Sequence, residues 1–181
     1  MGRIKALHIL EIASVIVQDS DGWTALMQAV SFNSFEIVQE LVRAGAALDL
    51  QNNKGITALM NANRLEIVQE LIRAGAALDL QDKRGNTALM RAVMNNHLKI
   101  VQELIRVGAA LDVQDKNGRT ALMISADHES GGAIAAMLVE AGARCPGYKR
   151  SGVFNSKCKF CRESKKRHRH SRTVTHKAKH S

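Results

Sequence analysis

The sequence predicts an all-α solenoid in which short helix-turn-helix units stack on one another. The stretch EIVQELVRAGAALDLQN at residues 36–52 recurs almost letter for letter at residues 66–82 and 99–115. A tetrad Thr-Ala-Leu-Met occurs four times, and the single proline, Pro146, follows the last repeated segment. Repetition at a period of 20–50 residues is the sequence signature of stacked repeat architectures.

The recurring stretch has the pattern of a one-sided helix. Apolar residues at positions 37, 38, 41 and 42 share one face at 3.6 residues per turn. Gly45 then follows, where a helix end needs a residue that tolerates positive φ. Because one such helix cannot hide its apolar face from water alone, stacked copies must cover one another. Only 3% of the residues are aromatic, so the core must be aliphatic.

A turn and a first, shorter helix precede each recurring stretch. The tetrads begin at Thr24, Thr57, Thr87 and Thr120, and a glycine stands two residues before each, at spacings of 33, 30 and 33. The threonine can accept hydrogen bonds from the first helical turn, and the glycine supplies the dihedral angle of the β-turn. We therefore divide the chain into an N-terminal capping helix at 1–18, units at 19–51, 52–81, 82–114 and 115–145, and a tail at 146–181.

Together the tetrads, glycines and paired helices resemble the ankyrin repeat, whose period is 33 residues and whose signature is T-P-L-H-x-A. The resemblance covers about residues 19–143. It implies a non-enzymatic protein-interaction module, an adaptor or scaffold that holds a partner protein with its turn tips and first-helix face. All four tetrads have Ala for the family's Pro and Met for its His. We expect the inter-unit hydrogen bonds of that His to be replaced by looser, apolar methionine packing.

Two units depart from the pattern. The second is three residues short between its tetrad and second helix, so we expect a truncated first helix or turn and a local defect near Asn63. In the second helix of the fourth unit, Ala136 and Met137 stand where earlier copies have Gln and Glu. Because terminal repeats normally have a polar outer face, we expect the tail or another chain to cover this one.

Residues that vary between units while the framework repeats are the candidate binding positions. They lie at the turn tips and on the first helices: Ser20, Asp21, Trp23, Ser31, Phe32, Asn53, Lys54, Ile56, Lys83, Arg84, Asn86, Met94, Asn95, Lys116, Asn117, Arg119 and Asp127. Trp23, the single tryptophan, is either a binding hot spot or a packing contact for the capping helix. The basic tips of the later units favour an acidic partner segment, or are scattered solvated charges.

Catalysis is not expected from this sequence. It contains no phosphate-binding glycine loop, no G-x-S-x-G and no H-E-x-x-H motif. His8, His97 and His128 are the bases available before the tail, and none stands with a recognisable nucleophile. In the family that the sequence resembles, the position of His97 is often a structural histidine.

The tail offers an alternative function of a different class. From Lys149 onward there are twelve Lys or Arg and one acid, a net charge of +11, so the preceding body has a net charge of −2. Lys165, Lys166, Arg167, Arg169 and Arg172 form a basic run typical of nuclear localisation or of binding to nucleic acid and other polyanions. A passive, disordered, solubilising tail explains the same composition.

The cysteines suggest a second role for the tail. Cys158 and Cys161 form a C-x-x-C pair, and Cys145 and His168 complete an acceptable tetrahedral zinc set. Free thiols in a flexible segment are the competing interpretation. The repeat units before Cys145 contain no cysteine, and no membrane span is apparent, so we expect an intracellular protein, cytoplasmic and/or nuclear.

Overall fold

A computed structural model describes residues 17–126 and 132–144 of the chain. Residues 1–16 of the expected capping helix and the whole basic tail lie outside these residues, and the last two residues assigned to the cap, Val17 and Gln18, are not helical. The described part is helical, with one isolated antiparallel bridge between Gln18 and Thr24. Its helices are α1 (Ala25–Ser31), α2 (Phe35–Arg43), α3 (Ala58–Asn61), α4 (Leu65–Arg73), α5 (Ala88–Met94), α6 (Leu98–Arg106), α7 (Ala121–Ser125) and α8 (Gly132–Glu140). None of them is long and apolar enough to cross a membrane.

The helices form two parallel rows. The first helices of the units, α1, α3, α5 and α7, pack in sequence to form an inner row, and α2, α4, α6 and α8 form an outer row beside it. Each first helix also packs on the second helix of its own unit. The predicted all-α solenoid is therefore the observed architecture.

A threonine N-cap directly precedes every helix of the inner row. Its Oγ1 accepts the N–H of the methionine three residues later, at 3.1–3.4 Å. These bonds satisfy one of the N–H groups that a helix start leaves without a partner. The four threonines are Thr24, Thr57, Thr87 and Thr120, and all are buried. The predicted cap is confirmed in each unit.

The core between the rows is aliphatic. The tetrad leucines are at most 3% exposed, and the methionines of the first three tetrads at most 5%. Methionine therefore fills the core at the position where the ankyrin signature has histidine, as expected. Whether this packing makes the stack looser stays a prediction.

Hydrogen bonds nevertheless link successive turns of the solenoid, through glutamine rather than histidine. The side-chain amide of Gln51 donates to the carbonyl of Gly55 in the turn of the second unit at 2.8 Å and to the carbonyl of Gln81, which precedes the turn of the third unit, at 2.9 Å. Gln18 and Gln81 make the same pair of bonds one unit before and one unit after. This glutamine ladder was not predicted from the sequence.

An aspartate ladder runs along the returns that follow the outer helices. The carboxylate of Asp49 accepts the N–H of Ala77 at 2.9 Å, and that of Asp79 accepts the N–H of Ala110 at 2.8 Å. Asp112 continues the series with the N–H of Arg144 at 2.9 Å. The units are thus joined at both the turns and the returns, in addition to their apolar contacts.

The turn glycines allow successive turns to touch. The φ angles of Gly55 and Gly85 are +76° and +83°, which L side chains rarely adopt. A Cβ on Gly85 would lie 2.8 Å from the backbone nitrogen of Lys116, whose N–H donates to the carbonyl of Arg84 at 2.9 Å. The close approach of the next unit therefore requires glycine, independently of φ.

The second unit has a truncated first helix. α3 has four residues, whereas α1 and α5 have seven. Two arginine side chains connect the second unit to its neighbours. Arg91 Nε, in the third unit, donates to the backbone carbonyl of Met60 at 2.9 Å. Arg64 Nη1, in the second unit, donates to the backbone carbonyl of Asn33 in the first unit at 3.2 Å. The predicted truncation is confirmed. The predicted local weakness of the stack near Asn63 stays a prediction.

The last outer helix presents apolar side chains to solvent. Val139 is 45% exposed, while its counterparts in the preceding outer helices are partly buried against the core. Ala136 is exposed and Met137 is partly buried. The cover that we expect for this face stays a prediction, because the tail lies outside the described residues.

A side-chain oxygen organises each turn. Asp115 Oδ1 accepts the N–H groups of Asn117 and Arg119, both at 2.8 Å, and its Oδ2 accepts Arg119 Nε at 2.9 Å. Burial raises the pKa of this carboxyl, but hydrogen bonds from Arg119 and Asn117 and the positive charge of Arg119 outweigh burial, so the pKa is below its ordinary value.

We predict that Gly85→Ala destabilises the protein more than Gly118→Ala, which serves as its matched control. Gly118 has a similar φ of +74°, but among the described residues the nearest atom to a Cβ there would be 3.9 Å away. The control should lower the free energy of unfolding by about 1 kcal/mol through backbone strain. Gly85→Ala should cost roughly 1–3 kcal/mol more because neighbouring turns must separate. Equal losses in urea denaturation would show that turn contact does not hold the units together.

We predict that Asp115→Asn destabilises the protein in a pH-dependent manner. The amide oxygen of the asparagine can still accept the backbone N–H groups of the turn, as Asn52 Oδ1 does in the second unit. The hydrogen bond between the charged side chains of Asp115 and Arg119 is lost. Because the folded pKa lies below the unfolded value of about 3.9, the carboxylate's contribution is complete above about pH 5 and disappears as the pH falls through the folded pKa. The variant should lose about 1 kcal/mol at pH 7. An equal deficit at acidic pH in urea denaturation would contradict this.

Candidate protein-binding cleft

A cleft of about 530 Å³ opens beside the turns of the second and third units and along α5. We call it the turn cleft. It is lined by Asn53, Lys54, Ile56, Asp82, Lys83, Arg84, Asn86, Arg91, Met94 and Asn95. Eight of these ten residues are candidate binding positions predicted from the sequence. Asp82 and Arg91 are the two that were not predicted.

Two turns fix the backbone around the cleft. Asn52 Oδ1 accepts the N–H groups of Lys54 and Ile56 at 2.8 and 3.0 Å. Asp82 Oδ1 does the same for Arg84 and Asn86, both at 2.8 Å. Such side-chain-closed turns are the reason that Asn and Asp occur at these positions. The two turns are joined directly, because the N–H of Lys83 donates to the carbonyl of Lys54 at 3.0 Å.

The inner wall of the cleft is a buried polar cluster. Asn86 is only 6% exposed, and its amide nitrogen lies 3.2 and 3.1 Å from the two carboxylate oxygens of Asp82. Arg91 Nη1 lies 3.5 Å from Asp82 Oδ2, while Arg91 Nε donates to the carbonyl of Met60. Asp82 and Arg91 are thus engaged with the fold. Asn86, named as a contact residue, is part of this wall beneath the surface.

The rim of the cleft is basic. Lys54, Lys83 and Arg84 are exposed. Within the described residues, no carboxylate lies within 4.0 Å of their charged groups. Asp82, the one acid among the described residues of the lining, already interacts with Arg91. The surface open to a ligand is therefore cationic.

The remaining candidate positions that the structure describes are not among the residues that line the cleft. Trp23 is partly buried and packs against the core, so at least part of its ring stabilises the fold. Phe32 is 79% exposed at the end of α1. Arg119 is held against Asp115. The exposed positions are Ser20, Asp21, Ser31, Lys116 and Asn117, and Asp127 lies outside the described residues.

Most of the candidate metal-binding, polyanion-binding and catalytic residues lie outside the part of the chain that the structure describes. Cys145, Cys158, Cys161 and His168, and the basic run with Lys165, Lys166, Arg167, Arg169 and Arg172, lie outside the described residues, as do His8 and His128. His97 precedes α6 at its N-cap, and its Nδ1 is buried without a hydrogen-bond partner in the described part of the chain. Residues 17–126 and 132–144 bring no three potential metal ligands together.

Comparison with known proteins agrees with the architecture. A family model described as ankyrin repeats, in three copies, matches residues 2–72 and again residues 61–146. No curated protein matches the chain. The two family matches together span most of the sequence, and the paired helices, capped tetrads and glycine turns recur within them. The chain belongs to the ankyrin-repeat family, whose repeats are general protein-protein interaction modules.

Proposed function

We propose that this protein is a non-enzymatic adaptor that binds a segment of a partner protein through its turn tips and first-helix face, with the turn cleft at the centre. The observation that carries the proposal is that the residues lining the cleft are largely the residues that differ between units. Residues such as the capping threonines and the core leucines repeat instead, because they hold the fold.

The mechanism is recognition by a preformed surface. The turns are closed by Asn52 and Asp82 and joined through Lys83 and Lys54, so their backbones need little ordering on binding. Less ordering means that less of the contact free energy is lost to entropy. The lining combines charged groups with partly buried Met94 and Ile56, the mixture of apolar and polar groups that is typical of binding pockets.

A second candidate function concerns the tail. From Lys149 onward, its net charge of +11 over 33 residues supports salt-dependent contact with nucleic acid or another acidic surface. In that case the repeats would serve as a scaffold. Such binding would be independent of the turn cleft, which makes the two functions separable by substitution.

We predict that Met94→Ser weakens partner binding while Val139→Ser does not. Both substitutions remove a partly exposed apolar side chain, but only Met94 lines the cleft. Ser31 occupies the position of Met94 in the first unit, so the fold accepts serine there. Loss of about 1–2 kcal/mol of apolar burial corresponds to a roughly five- to thirtyfold rise in Kd. The ligands are peptides selected from a phage-displayed library of random twelve-residue peptides against the full chain.

Other outcomes of this experiment would distinguish the turn cleft from the apolar face of α8 as the binding surface. If every selected peptide binds Met94→Ser as tightly as the unaltered protein, the cleft is not the binding site. If Val139→Ser weakens binding instead, the apolar face of α8 is the interaction surface. Unfolding curves for both variants, recorded in parallel, control for loss of fold.

A further inference from the structure

We infer that the three-residue shortening of the second unit makes the turn cleft a site for an acidic peptide segment that carries an aliphatic anchor residue. This inference rests on the proposed function and adds the chemistry of the partner. It requires three things of the structure: space next to the shortened helix, an apolar surface for the anchor, and unpaired positive charge at the rim.

The space follows from helix lengths in the inner row. α3 packs between α1 and α5, and it ends at Asn61 after four residues, whereas its neighbours have seven. Between the capping threonine and the second helix, the third unit has ten residues, 88–97, and the second unit has seven, 58–64. The end of α5, with Met94 and Asn95, thus has no matching segment beside it in the second unit.

The apolar surface consists of Met94, the last residue of α5, and Ile56, in the turn of the second unit. Both are partly buried, pack against the core, and line the cleft. Methionine adapts its shape to different neighbours, so an aliphatic side chain of variable size fits against it.

The unpaired charge comes from Lys54, Lys83 and Arg84. These three cations are exposed, have no carboxylate within 4.0 Å among the described residues, and stand on backbone held by closed turns. Asp82 contributes little repulsion to an incoming anion because Arg91 and the amide of Asn86 lie against its carboxylate. A cleft with charge of one sign concentrates ligands of the opposite sign and rejects those of the same sign.

A protein segment fits this chemistry better than a nucleic acid. Single-stranded nucleic acid is usually held by stacking its bases on aromatic side chains, and none of the described residues that line the cleft is aromatic. Carboxylates of Asp and Glu pair with lysine and arginine without such a platform.

The test compares Lys83→Glu with Lys116→Glu. Lys83 and Lys116 hold the same turn position in the third and fourth units, both are exposed, and both substitutions change the charge equally, but only Lys83 lines the cleft. The ligands are those library peptides whose binding to the full chain is lost in Met94→Ser, a criterion that removes peptides attracted to the tail.

We expect these peptides to be enriched in Asp and Glu around a Leu, Ile, Val or Met. Lys83→Glu should weaken their binding at least tenfold and Lys116→Glu less than threefold, and higher salt should weaken binding to the unaltered protein. Cleft-dependent peptides without acidic enrichment, or equal effects of the two substitutions, would overturn the inference and leave the proposed function standing. Absence of any Met94-dependent peptide would instead remove the proposed function.

Discussion

Close contact between successive turns is the constraint on which the rest of this structure depends. The glycines at positions 22, 55 and 85 let each turn approach the backbone of the next one so closely that a Cβ would lie 2.7–2.8 Å from its amide nitrogen. That approach sets the spacing of the units. The spacing in turn aligns the glutamine ladder beside the turns and the aspartate ladder along the returns. Apolar burial drives the stacking of the helices, but these polar contacts specify the register.

Because the turns and returns hold the register, the first helix of a unit can shorten without breaking the stack. The second unit uses this freedom: α3 loses three residues, yet α4 keeps nine and packs in the outer row. Arg91 covers the carbonyl of Met60 near the end of α3. The same arginine neutralises Asp82 in the cleft wall. The shortened helix and the wall of the turn cleft are therefore linked by one side chain, and no carboxylate of the described residues lies against the cations of the rim.

Most of the architecture could be predicted from local patterns, because apolar spacing and capping threonines act within one helix. The ladders could not be derived in the same way. Gln51 bridges two units only once stacking brings the carbonyl of Gln81 within reach, although its recurrence in each unit was a signal. Asn86 was predicted to be a surface contact because the residue at its position differs between units, but its side-chain amide donates to the buried carboxylate of Asp82. Arg91 was missed because its role depends on the end of a helix in another unit.

The most direct test is to restore the missing turn. Inserting Val-Met-Asn between Ala62 and Asn63 gives the second unit the length of the third and copies the residues found at 93–95. If the shortened helix creates the site, the elongated protein should be at least as stable as the unaltered protein in urea denaturation. It should no longer bind the peptides whose binding depends on Met94. Undiminished peptide binding by the stable, elongated protein would contradict the claim that the deletion makes the site.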